Sequence, residues 1–200
     1  MELSRITFQG PEITDSEILA LLPRELAELL SQINGFVQFH GGLHVRGACR
    51  EPLWHSIRET WQGASAFHLN YPEIKSDDVP FAQDCIGDQF FLRADVVFRL
   101  RTETGDVETL DLDLYGFLDA AEKDPIDFLG LHPLMRHQTD GGTLEPGQLL
   151  SIYPPYCTKE AANGVSIRAI PATERLSFLA DFYRQIGGLP EGTKFRVKVT

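Results

Sequence analysis

The sequence predicts an α+β protein, with a twisted, mostly antiparallel sheet packed against several helices. Three observations predict it. Helical and strand-like segments are grouped rather than alternating one for one, which argues against a parallel β-α-β arrangement. Residues 89–109 hold three short runs rich in Val, Phe and Leu, set apart by turns of a few residues, and such spacing makes a meander. Hydrophobic residues are 42% of the 200-residue chain and charged residues 24%, close to globular averages, so a packed core in one domain over residues 1–200 is expected.

Each element has its own local cause. Thr14 and Glu17 have the spacing of a capping box, in which hydroxyl and carboxylate satisfy each other's backbone amides. Pro23 suits the first turn of a second helix, where a missing N–H costs nothing. Leu22, Leu26, Leu29, Leu30 and Ile33 share its apolar face, and Asn34-Gly35 ends it. The segment FVQFHGGLHVRGA (36–48) is glycine-broken and strand-like. EPLWHSIRETWQG (51–63) predicts one short helix with Leu53, Trp54, Ile57 and Trp61 inward, and residues 64–80 read as a polar connection. Strands are expected in DQFFLR (88–93), DVVFRLR (95–101) and VETL (107–110). Asp113 then caps a helix through Leu114, Phe117, Leu118 and Ala121. Further strands are expected in LLSIYPPY (149–156) and VSIRAI (165–170). A helix follows through Leu176, Leu179, Ala180, Tyr183 and Ile186, and KFRVKV (194–199) predicts a last strand.

Composition excludes several classes of function. No apolar run of about 18 residues exists, so no membrane-spanning helix is expected. The first residues, Met1 to Arg5, lack the basic start and apolar stretch of a signal peptide, and Cys49, Cys85 and Cys157 are an odd set without CxxC spacing; a reducing, cytoplasmic setting is expected. The net charge is −11, and residues 71–130, with 15 acids and 5 bases, carry −10 of it. Such a field repels nucleic acid and anionic lipid and favours a cationic partner.

The residues with side chains suited to chemistry read more simply as structural. His40 and His44 are four apart, but Gly41-Gly42 between them argues against a metal-binding helix. His55 and His68 read as surface or core-edge residues. Glu108, Asp111 and Asp113 read as a cap and a solvated acidic edge rather than an acid–base pair. Cys85 has acids beside it, where a nucleophilic thiolate needs a cation. In DCIGD (84–88), Gly87 suits a tight turn or bulge, Asp84 can hold the turn's amides, and Asp88 starts the next strand. No catalytic residue, cofactor or metal is expected.

Leu22-Pro23, Asn34-Gly35, Pro80-Phe81-Ala82, Gly87-Asp88, the hairpin through Val96–Arg101 and Phe117 follow one another in an order that resembles the SUKH superfamily, in particular its Smi/Knr-type branch. The resemblance covers residues 20–135, and residues 136–200 read as an extension that completes the sheet. It implies an α+β fold and the role of an immunity protein, which binds and neutralises the toxin domain of a polymorphic or contact-dependent toxin system without catalysis. The alternatives are an intracellular regulatory or scaffold module, as in the family's fungal members, and a metal-dependent hydrolase using His40, His44 and the acids. A toxin with a basic surface would meet exposed acids such as Asp77, Asp78, Glu108, Asp111 and Asp113, with Tyr71, Tyr115 or Trp61 as aromatic anchors.

Overall fold

A computed structural model describes residues 3–190 and 192–194. Seven strands form one antiparallel sheet in chain order: β1 (Ile6–Gln9), β2 (Phe36–Gln38), β3 (Leu43–Val45), β4 (Val79–Asp84), β5 (Gln89–Arg93), β6 (Val96–Leu100) and β7 (Val107–Thr109). The helices are α1 (Ser16–Leu19), α2 (Arg24–Gln32), α3 (Ile57–Trp61), α4 (Leu114–Lys123), α5 (Pro125–Leu129), α6 (His132–Thr139) and α7 (Ala172–Ile186). The architecture is α+β, and among the described residues no helix is long and apolar enough to cross a membrane.

The register divides the sheet into two faces, because side chains alternate along each strand while paired residues share a side. Phe36, Val45, Ala82, Phe90, Arg99 and Glu108 lie in one row across β2–β7. The next row, on the opposite face, is Val37, His44, Gln83, Gln89, Leu100 and Val107. The first face packs on Leu26 and Leu30 of α2 and on Phe117 and Leu118 of α4, with the Phe90 and Phe117 rings 4.7 Å apart. On the second face, Phe91 and Leu100 are covered by Phe67, Tyr71 and Ile74 and by Ala180 and Tyr183 of α7. Central strands covered on both faces are buried throughout, as in β4.

Several local expectations hold. Gly35 has φ +75° after α2, Ala94 turns the β5–β6 hairpin, and the Asp113 side chain accepts the Gly116 N–H at the start of α4. Other details differ for identifiable reasons. Asp15, not Thr14, caps α1 by accepting the Ile18 N–H; Thr14 Oγ1 accepts from Arg50 N instead, and Glu17 pairs with Arg50 and Arg58. Pro23 is the residue before α2 rather than its first turn.

The helix expected over 51–63 is broken into a 3-10 turn, Leu53–His55, and α3, because Ser56 is extended and its neighbours bond Gly47 in a parallel bridge. Leu53 consequently faces solvent. The connection before β4 is not merely polar, since it buries Phe67, Tyr71 and Ile74. Strand β1 and helices α5 and α6 lack a clear periodic signature in the sequence. Strands β8 (Gln148–Tyr153) and β9 (Ser166–Pro171) pair with each other in a separate hairpin and do not complete the main sheet. Of the strand expected over 194–199, all but Lys194 lies outside the described residues.

Candidate functional site

The turn between β4 and β5 is a hub of buried polar contacts. Asp84 Oδ1 accepts the backbone N–H of Ile86 at 2.9 Å and those of Gly87 and Asp88 at 3.0 Å each. Gly87 stands at φ +102°, a conformation side chains strain against. Asp88 accepts from the Thr102 N–H and hydroxyl. Burial pushes Asp84 up to about 7, with the Asp88 charge adding to it, and burial also raises Asp88. The turn then anchors the C-terminal part of the chain: Leu150 N donates to Cys85 O at 2.8 Å, and Arg175 Nε on α7 donates to Ile86 O at 3.2 Å. DCIGD is thus the organising turn that its sequence suggests, and Cys85 is a buried thiol that burial holds protonated.

A second polar group crosses the sheet's second face, and sequence reasoning did not find it. His55 Nε2 lies 2.9 Å from Asn34 O, which can only accept, so this nitrogen carries the proton. In the neutral ring Nδ1 is then an acceptor and takes the His44 Nε2–H at 2.8 Å. His44 Nδ1 in turn accepts from Gln83 Nε2 at 3.2 Å. Gln83 Oε1 and Gln89 Oε1 accept from Arg46 Nη2 at 2.7 and 2.6 Å, and Arg46 Nη1 donates to Pro80 O. Donors and acceptors therefore run one way, from Arg46 to Asn34. Burial lowers His55 to about 4, His44 well below its usual value and Arg46 to about 9. A second proton on either imidazole would face a donor.

This array has little room for a ligand. Trp54 lies over it, 5.0 Å from His44 and 5.3 Å from His55 between ring centres. The space left beneath Trp54 beside the Glu145–Leu149 loop is about 10 Å³, enough for one water at most. All four imidazole nitrogens are engaged, so none offers a lone pair to a metal. His40 is exposed on the β2–β3 loop and does not join His44; His55 is fully buried rather than at the surface. Among the described residues no group of three or more His, Cys, Asp or Glu is placed to hold a metal. A larger cleft of about 920 Å³ lies between Tyr153–Glu160 and residues 186–190 and 192–194. Cys157 lines it, but burial and the adjacent Glu103 push its thiol up to about 11, so it offers no thiolate at neutral pH.

The expected partner surface is partly assembled. Arg93 and Val96 close the β5–β6 hairpin, and Val97 N donates to Leu112 O. Asp77, Asp95, Asp111 and Asp113 therefore lie toward one end of β5–β7, exposed and without an ion pair among the described residues. Glu108 is exposed on β7 but pairs with Arg101 at 3.2 Å. Three expected members are not available. Asp78 is buried against Arg93 at 2.8 Å, Tyr71 is buried with its hydroxyl on Thr102 O, and Trp61 is buried with Nε1 on Ser76 O. Tyr115 is half-buried at the start of α4. Asp95 belongs to the group although the sequence did not single it out; its position in the hairpin turn was the available signal. No family model matches the chain, and no curated protein matches it significantly.

Proposed function

We propose that this chain is a non-catalytic binding protein of the cytoplasm that neutralises a cognate toxin domain by capping a basic surface on it. The observation that carries the reading is the group Asp77, Asp95, Asp111 and Asp113, four exposed carboxylates toward one end of the sheet that make no ion pair among the described residues, with Arg93 in electrostatic reach of Asp77 alone. Uncompensated charge of one sign raises the capture rate of an oppositely charged partner. The order of motifs that resembles the SUKH superfamily supports the immunity role, and the dense packing around both histidines supports binding over catalysis. Co-expression with the toxin encoded beside the gene tests it. Growth rescue, and an association rate that falls steeply between low and physiological salt, are the expected results. No binding to any adjacent gene product would remove the reading.

A further inference from the structure

Among the described residues strand β7 ends the sheet, and its backbone defines what can pair with it. Arg101 N donates to Asp106 O, and Leu110 N donates to Val97 O. With Arg99 opposite Glu108, the alternation of an antiparallel ladder turns the N–H and C=O of Val107 and Thr109 away from β6. No described group bonds them. Such an edge is a template for another strand unless it is short, charged or covered. Here it carries unpaired negative charge: of the five acids in residues 102–113, Glu103 pairs with Arg175 and Glu108 with Arg101, while Asp106, Asp111 and Asp113 are exposed and make no ion pair among the described residues. Those acids deter ordinary strands while favouring a cationic one.

We infer that β7 is the docking edge for an extended, basic segment of the protein partner, which adds to the sheet as a strand; this rests on the toxin-binding reading and specifies its mode. The register fixes the segment's pattern. A residue beside Glu108 continues the row that ends Phe90–Arg99–Glu108, where a Lys or Arg shares the carboxylate with Arg101, and one beside Asp106 on the same face meets a carboxylate with no ion pair among the described residues. Residues beside Val107 and Thr109 continue the opposite face, next to Phe98 and Leu100, where apolar side chains extend the covered cluster. The segment therefore alternates basic and apolar residues, with main-chain bonds supplying affinity and alternate side chains specificity.

The test uses the full chain and an octapeptide of alternating Lys and Val, with a Glu/Val octapeptide as control. Hydrogen exchange of the Val107 and Thr109 amides is expected to be fast in the free protein and at least tenfold slower with the Lys/Val peptide alone. The Thr109→Pro variant removes an N–H that faces outward, so it should keep the β6 pairing and lose peptide binding by tenfold or more. If that variant unfolds, the Asp106→Lys/Asp111→Lys double variant gives a second reading, again with binding lost. Both amides protected in the free protein would overturn the inference. Protection that rises with concentration would mean pairing between copies; protection at every concentration would mean the chain covers its own edge, and residues 194–199 have the same alternation in sequence. Toxin neutralisation that survives Thr109→Pro would overturn the edge and leave the toxin reading standing. Peptide pairing without any toxin partner would do the reverse.

Discussion

The two faces of the sheet are made by neighbouring residues of the same strands, yet across β3–β5 one buries hydrocarbon and the other a polar row beside its apolar cluster. On one face Phe36, Val45, Ala82 and Phe90 pack on helices α2 and α4. One residue along each strand, His44, Gln83 and Gln89 sit with Arg46 and His55 in a hydrogen-bonded row. The apolar face is stabilised by removing hydrocarbon from water, which holds at any pH where the chain folds. The polar face gains little per bond, on the order of 1 kcal/mol, but each unmet partner costs more than that. Its cost is already visible in Arg46 Nε, which is buried without a partner. The comparison teaches that buried hydrocarbon supplies stability while buried polar groups make part of it conditional on protonation.

The largest effect is expected on the apolar face. Phe90 touches the Phe117 ring and lies under Arg99, and it is fully buried. Phe90→Ala should destabilise by about 3–5 kcal/mol in urea unfolding, with the same loss at pH 5 and pH 8. A loss that changes with pH would break the distinction between the faces.

The next effect is conditional. His55 is depressed to about 4, so its contribution is complete above its ordinary value near 6.5 and is lost as pH falls toward 4. That limb amounts to about 3 kcal/mol. A glutamine can offer the same donor to Asn34 O and the same acceptor to His44, so His55→Gln should flatten the acid limb without unfolding the protein. Asp84 acts in the opposite sense. Raised to about 7, it stabilises fully below about 4 and loses that contribution as pH rises through 7. Asp84→Asn keeps an oxygen for the three amides and should remove the decline. The two limbs overlap between about pH 4 and 6.5 and oppose each other, so the native profile there should be flatter than that of the Asp84→Asn variant, which rises with pH, and that of the His55→Gln variant, which falls.

A smaller loss is expected at the turn that joins both faces to the C-terminal elements. A Cβ on Gly87 would lie 3.0 Å from Leu179 Cδ1 of α7, in a backbone region that disfavours side chains. Gly87→Val should cost about 1–3 kcal/mol. A neutral substitution would mean that the turn does not hold α7 in place.

What was legible in the sequence follows from the range of the cause. The DCIGD turn was legible because Asp84, Gly87 and Asp88 act on amides two to four residues away. The β5–β6–β7 meander was legible for the same reason. The histidine row was not, since His44 meets His55 and Gln83 from segments 11 and 39 residues distant, and only the register brings them together. The capping of α1 by Asp15 was obscured by a competing local pattern, which lost because Arg50 and Arg58 engage Thr14 and Glu17 from afar. Burial was the other missing quantity: the acids of 71–130 look alike in sequence, but the fold hides Asp78 under Arg93 and leaves Asp77 in solvent.

The smallest effect on stability is expected at that acidic end, and its smallness is what separates a binding surface from both faces of the sheet. Asp77 and Asp95 are exposed, make no ion pair among the described residues and cap no helix. Reversing both to lysine should change unfolding stability by no more than about 0.5 kcal/mol. Asp113 is different, because its carboxylate caps α4, and Asp113→Lys should cost about 1 kcal/mol for that reason alone. The acidic end is a recognition surface if the Asp77/Asp95 reversal slows toxin association, weakens its salt dependence and leaves the melting temperature in place. If instead association is unchanged at every salt concentration, the charge at this end serves solubility and the partner binds elsewhere. Rim charges mainly set the on-rate, so the dissociation rate should move little in either variant.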